Sequence, residues 1–181
     1  MSELRVISPS DWRRVEWRNG RGTSEEIWAG ELPFPSLTLN RTPIVEAGAF
    51  SAYAGFERFL VVIEGDLTLR VDDTPTHLER RGALRFSGAA ATSVVMGDRP
   101  AEVFNLIADQ SCWRVAGAVV ANASDVPATE GVVTIVHVAE GSARLNGRGT
   151  IGAGDTVLSR GSVTLDHLSG WVVLCRLFPL A

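Results

Sequence analysis

Short runs of β-branched and aliphatic residues, broken at close intervals by glycine, aspartate or asparagine, dominate the chain from about Leu37 onward. Val61-Val62-Ile63 stops at Glu64-Gly65-Asp66. Leu67-Thr68-Leu69-Arg70-Val71 then resumes with apolar and polar positions alternating, and ends at Asp72-Asp73. Two such runs about a Gly-containing turn predict a hairpin. Thr92-Ser93-Val94-Val95-Met96 and Glu102-Val103-Phe104-Asn105-Leu106-Ile107 read as further strands. After a polar stretch, Asn122 to Glu130, the pattern restarts with Val132 to Val138, turns at Glu140-Gly141-Ser142, and continues through Ala143-Arg144-Leu145 to Asn146-Gly147. The last predicted strand is Trp171 to Leu177. Helical periodicity is nearly absent; only Pro9 to Val15 suits a short helical turn. Many short strands at this spacing predict an antiparallel sandwich or barrel.

The two halves echo each other. The run, Glu-Gly turn and run around Gly65 matches the same sequence of features around Gly141. Arg81-Gly82-Ala83-Leu84 similarly corresponds to Ala153-Gly154-Asp155-Thr156. A duplicated small barrel is the simplest architecture that follows.

Composition excludes several classes of function. At 181 residues, 45% hydrophobic and 21% charged, the chain has the balance of an ordinary globular protein rather than a disordered one. No apolar run approaches the roughly 20 residues that span a bilayer. The start, Met1 to Arg5, lacks a basic region followed by an apolar one, so a cytoplasmic location is expected and no membrane partner. Seventeen basic against twenty-one acidic residues leave a net charge of −4 with no basic face, against nucleic-acid binding. Every basic residue is Arg, so no Schiff-base or P-loop Lys exists. Cys112 and Cys175 sit among apolar neighbours without CxxC spacing, as small hydrophobes in a reducing compartment do.

The most informative segments are Trp17-Arg18-Asn19-Gly20-Arg21-Gly22-Thr23-Ser24-Glu25-Glu26-Ile27, then Gly48-Ala49-Phe50-Ser51-Ala52-Tyr53-Ala54-Gly55-Phe56-Glu57-Arg58, then Val103-Phe104-Asn105-Leu106-Ile107. In this order and spacing they resemble the HutD/Ves family, metal-free cupins associated with bacterial histidine utilisation. Residues 10 to 110 carry the resemblance, and the remainder follows by architecture. It departs from the family pattern in three places: the spacing to Thr23 and Glu25 or Glu26, Val103 where the family writes Asp, and Leu37, Thr38 and Asn40 where it writes Trp, Arg and Ser. The resemblance implies an all-β bicupin, two cupin-type β-barrels or jelly rolls in one compact chain. Residues 1–120 would form an N-terminal segment plus the first barrel, and 121–181 a second, shorter cupin-like half.

Cupin enzymes hold a metal through two His and a Glu that precede a closing Gly. Placing that Gly on Gly65 puts Arg58 at the Glu position, with Ala52 and Ala54, or Ser51 and Tyr53, at the His positions. A guanidinium where a carboxylate ligand belongs excludes such a divalent site on ligand chemistry. No metal or other cofactor is expected. Of the three histidines, His77 follows a polar turn, His137 lies mid-strand among valines as a core residue would, and His167 follows Asp166, on the opposite strand face.

Arg58 opens the run Phe59-Leu60-Val61-Val62-Ile63, so its side chain is expected at the barrel mouth. A buried Arg needs an anion or several acceptors. Either it clamps a ligand carboxylate in bidentate fashion, or it forms an internal salt bridge to Glu57, Glu25 or Glu26. Asn105 is expected to face away from Phe104 and Leu106 and needs partners, either a ligand or the Trp17–Thr23 backbone. The glycines after Trp17 permit a turn laying Trp17 and Asn19 against the pocket; there is no P-loop pattern here. Phe50 and Ser51 fall near the same mouth, Phe50 as core before ligand stack. Thr23 and Glu26 complete the candidate ligand-binding set of Arg58, Asn105, Trp17, Asn19, Thr23, Glu26, Phe50 and Ser51, with no catalytic residue assigned.

The resemblance implies a non-enzymatic protein, regulatory in histidine utilisation, that binds a small carboxylate such as urocanate or formiminoglutamate. The alternatives are a metal-independent isomerase or hydrolase using Glu25, Glu26 or Glu57 as acid or base, and a structural or protein-interaction bicupin. By architecture, an unpaired edge strand leaves a homodimer open.

Overall fold

The computed structural model describes residues 4–17, 20, 22–30, 34, 36–122 and 124–180. It is all-β, with no α-helix among the described residues. In chain order come β1 (Leu4–Ile7), a 3-10 turn (Pro9–Asp11), β2 (Arg13–Glu16), β3 (Thr23–Ala29), β4 (Leu37–Ile44), β5 (Gly48–Ala49), β6 (Phe56–Glu64), β7 (Asp66–Val71) and β8 (Thr74–Glu79). Then follow β9 (Ala83–Ser87), β10 (Thr92–Met96), β11 (Ala101–Asp109), β12 (Trp113–Val120), β13 (Ser124–Val126), β14 (Val133–Leu145), β15 (Gly149–Gly152), β16 (Thr156–Ser159) and β17 (Val163–Pro179). Among the described residues no helix is long and apolar enough to cross a membrane.

The chain divides into two units, Trp12–Cys112 and the chain from Trp113 on, which β1 joins by pairing antiparallel with β16. The Trp12–Cys112 unit has a 6-stranded sheet, ordered β2-β3-β4-β11-β6-β9, and a 4-stranded sheet, ordered β5-β10-β7-β8. Alternation along each strand sends one set of side chains between these sheets. Ile44, Leu60, Val62, Phe86 and Val103 from the first sheet meet Leu67, Leu69, Leu78 and Val94 from the second, and all are buried. The other unit is built on a 7-stranded sheet whose main path is β1-β16-β14-β17-β12. Val136, Val138, Val157, Leu165 and Val172 form its core.

Two expected turns proved to be something else. Glu64-Gly65-Asp66 does not close a hairpin: β6 pairs with β11 and β9, whereas β7 pairs with β8 and β10 in the other sheet. Gly65 is a corner at which the chain changes sheets. Its φ is +71°, and a Cβ there would sit 2.3 Å from the Pro100 carbonyl oxygen, so only glycine fits. The hairpin lies one strand later, where Asp72 and Asp73, both at positive φ, join β7 to β8. Likewise Gly141 bends β14 rather than ending it. The strand runs on from Val133 to Leu145 with register shifts on both sides of Gly141. A Cβ there would fall 1.9 Å from the Ser169 carbonyl oxygen, and φ is +78°. The echo between the halves therefore rests on a shared physical demand, backbone approaching backbone at a left-handed residue.

Candidate ligand-binding site

A cleft of about 60 Å³ opens on the inner face of the 6-stranded sheet in the Trp12–Cys112 unit. Register places its floor. Asn105 on β11 lies across from Asn40 on β4, and Ile107 lies across from Arg58 on β6. Cross-strand partners point to the same side, so these side chains, with Thr42 and Ile44 farther along β4, share the inner face. Phe104 and Leu106 point the other way, as expected of a polar residue set between two apolar ones.

Arg58 is 5% exposed and makes no ion pair with any described residue. Of the carboxylates considered for it, Glu57 is engaged by Arg85 at 3.4 Å and Glu26 by Arg13 at 2.8 Å, and Glu25 makes no ion pair with it. The internal salt bridge considered for Arg58 is therefore not formed. Alternation explains Glu57, which as the strand neighbour of Arg58 faces the opposite side. One terminal nitrogen of Arg58 donates to Asn105 Oδ1 at 3.3 Å and the other to the Ser51 carbonyl at 3.5 Å, both long; Nε is buried without a partner. Three aromatic rings surround the charge, with the guanidinium carbon 5.0 Å from the centroid of Phe50, 5.6 Å from Tyr53 and 5.2 Å from Phe86. Their faces stabilise the cation but cannot accept its hydrogen bonds. Burial pushes the Arg58 pKa down to about 10, with Tyr53 acting in the opposite sense. The result is a desolvated cation with spare donors at a cleft.

A chain of hydrogen bonds crosses the sheet from this cation. Trp17 Nε1 donates to Ser24 Oγ at 2.8 Å, and Ser24 Oγ lies 2.8 Å from Thr42 Oγ1. Thr42 donates to Asn40 Oδ1 at 2.9 Å, and Asn105 Nδ2 donates to the same oxygen at 3.3 Å. Trp and Arg are donors only, so the direction of every link follows. Ser24 must donate to Thr42, and both arms converge on Asn40 Oδ1. That leaves the Asn40 amide nitrogen as a donor with no partner among the described residues, at a position lining the cleft. Trp17 reaches its place because Gly22 has no side chain. A Cβ on Gly22 would lie 2.8–2.9 Å from three carbons of the indole.

Of the candidate residues, Arg58, Asn105, Trp17, Phe50 and Ser51 line this cleft together. Phe50 both packs on the core and stacks on Arg58. Asn105 bonds Asn40 and Arg58, not the Trp17–Thr23 backbone. Thr23 and Glu26 are not lining residues: Thr23 pairs with Glu16 at the sheet edge, and Glu26 holds Arg13. Asn19 lies outside the described residues. Sequence reasoning missed Ser24, Thr42, Tyr53 and Phe86. The two-residue spacing Asn40, Thr42, Ile44 on a strand was the available signal for β4, and Asn40 had stood out only as a departure from the family pattern. Among the described residues no group of three or more His, Cys, Asp or Glu side chains is placed to hold a metal ion. His137 is buried with Nδ1 2.8 Å from Thr156 Oγ1, a core histidine as expected, and His77 and His167 are exposed.

The HutD family model matches residues 9–170. A 21.2 kDa protein of Pseudomonas putida, described as uncharacterized and lying in the hutC 3′ region, is 37% identical over 112 residues. The match covers 59% of this chain, and the chain spans 59% of that relative's length. Among solved structures, a conserved protein of unknown function from Pseudomonas aeruginosa superposes with a TM-score of 0.84 at 29% identity, over 99% of this chain and 100% of that one. HutD from Pseudomonas fluorescens gives a TM-score of 0.84 at 24% identity with the same coverage, a likeness of fold. The all-β bicupin read from the sequence is thus the fold over the full length, and with its matched span the chain belongs to the HutD family, a family linked to histidine utilisation.

Proposed function

We propose that the Trp12–Cys112 unit binds a small organic carboxylate on Arg58, without catalysing its conversion, and that this binding serves regulation of histidine utilisation. The observation that carries the reading is the state of Arg58: buried, unpaired, boxed by three rings, with Nε unpartnered beside a cleft. The ring faces offset the burial of the charge but accept none of its hydrogen bonds, and a carboxylate fork supplies the missing acceptors. Asn40 offers a further donor. Of the described lining residues only Arg58 and Tyr53 are titratable, which suits holding an anion better than moving a proton. Urocanate and formiminoglutamate are the ligands expected from the family link, each carrying a carboxylate.

The test is a thermal-shift screen against histidine, urocanate, formiminoglutamate, formylglutamate and glutamate, with and without EDTA. A ligand at a hundred times its dissociation constant adds about 2.7 kcal/mol to stability. A shift with one carboxylate, lost in Arg58→Met and unmoved by EDTA, supports the reading. No response to any acid, or a melt that EDTA alone displaces, overturns it.

A further inference from the structure

The strand plan of the Trp12–Cys112 unit, carried onto the unit from Trp113 on, locates a second cationic mouth. Arg58 on β6 pairs with Ile107 on β11 and with Phe86 on β9. Counting back equally from Gly65 and from Gly141, Arg58 corresponds to Thr134 on β14. Thr134 pairs with Arg176 on β17 and with Ser159 on β16. The guanidinium has moved across one strand, to the place that Ile107 holds in the first unit. Arg176 shares its strand face with Val172 of the core and Leu174 packed against it, and continues that face beyond them toward Phe178.

Its surroundings match an anion site in three respects. Arg176 has no ion pair among the described residues; one terminal nitrogen donates to Thr129 Oγ1 at 2.6 Å, while Nε is buried without a partner. A second guanidinium, Arg114, lies directly across from Phe178 in register, and both cations use that one ring, Arg114 at 4.4 Å and Arg176 at 5.3 Å from its centroid. Arg114 too has no carboxylate partner among the described residues. Two like charges on one ring repel, and an anion between or beside them removes that cost. Beside them the strand is stripped to Ala116, Gly117 and Ala118, all exposed. Ala116 faces Arg176 and Ala118 faces Leu174, where the first unit has Thr38 and Asn40. The carboxylate nearest in sequence to Thr129 is Glu130, exposed and in no ion pair among the described residues.

We propose that this mouth is a second oxyanion site, with Arg114 and Arg176 as its cationic arms and the Ala116–Ala118 stretch as the gap that admits the body of a small carboxylate or phosphate. It is separate from the Arg58 cleft and does not depend on what that cleft binds.

The experiment follows the arginine Nε–H resonances of the full chain by NMR while sodium acetate, or inorganic phosphate, is titrated at constant ionic strength. The wild type, Arg58→Gln and Arg114→Gln are compared. Saturable shifts of the Arg114 and Arg176 signals, undiminished in Arg58→Gln, are expected with at least one anion, and which anion saturates identifies the class. Arg114→Gln, at an exposed position, removes one charged donor and is expected to weaken the Arg176 response about tenfold. Linear shifts that never saturate with either anion, or an Arg176 response unchanged in Arg114→Gln, would refute the site. Loss of the response in Arg58→Gln would show that only the first cleft binds, and would equally refute it.

Discussion

Replacing Arg58 with methionine separates a binding residue from a structural one. The two interpretations predict different magnitudes. Burial lowers the Arg58 pKa from the ordinary guanidinium range to about 10, which corresponds to about 3 kcal/mol set against the charged form. Against this stand three ring contacts, at about 1 kcal/mol each in a desolvated setting. The two hydrogen bonds, at 3.3 and 3.5 Å, add little. Methionine fills much of the same volume, removes the desolvation cost and the ring attraction together, and leaves Asn105 Oδ1 without its donor at about 1 kcal/mol. The terms nearly cancel, so the ligand-free variant should unfold within about 1.5 kcal/mol of the wild type. Breaking a compensated buried ion pair would instead cost about 3–5 kcal/mol. The assay is urea unfolding of both proteins, with and without the carboxylate that shifts the wild type. A ligand-free loss of about 3 kcal/mol or more would mean that Arg58 holds the fold together. Ligand stabilisation persisting in the variant would remove Arg58 from the site. Either result refutes the reasoning.

Further outcomes follow from the same geometry. Asn105→Leu removes the amide that holds both Arg58 and Asn40 in place at the cleft and should weaken carboxylate binding about tenfold by calorimetry. Gly65→Ala meets backbone at 2.3 Å with φ at +71° and should cost more than about 2 kcal/mol in the urea midpoint, whereas an ordinary loop glycine would tolerate alanine. Both cysteines are free, and burial pushes the Cys175 thiol upward; a thiol reagent should label Cys112 in the native protein and Cys175 only after unfolding.

The strands were legible because their signal is local. Thr92–Met96 and Leu67–Val71 alternate over a handful of residues, and each is found where alternation placed it, β10 without change and β7 with one residue added at its start. Arg58 was also legible, as a charge opening an apolar run. Strand partners could not be read in the same way. A glycine at positive φ serves a hairpin, a corner between sheets and a bend in a long strand equally well. What decides among them is pairing between residues far apart in sequence, which sent β6 to β11 and β7 to β10. The surroundings of Arg58 were hidden for the same reason. Its neighbour Glu57 is turned away by alternation, while the rings that enclose it come from the β5–β6 connection and from β9, and its amide partner comes from β11. The chain alone determined which segments are strands and that a cation would lie at a barrel mouth, since both depend on neighbours in sequence. Whether that cation met a carboxylate, water or three aromatic faces was decided by tertiary packing, because only the closure of the two sheets brings those groups together.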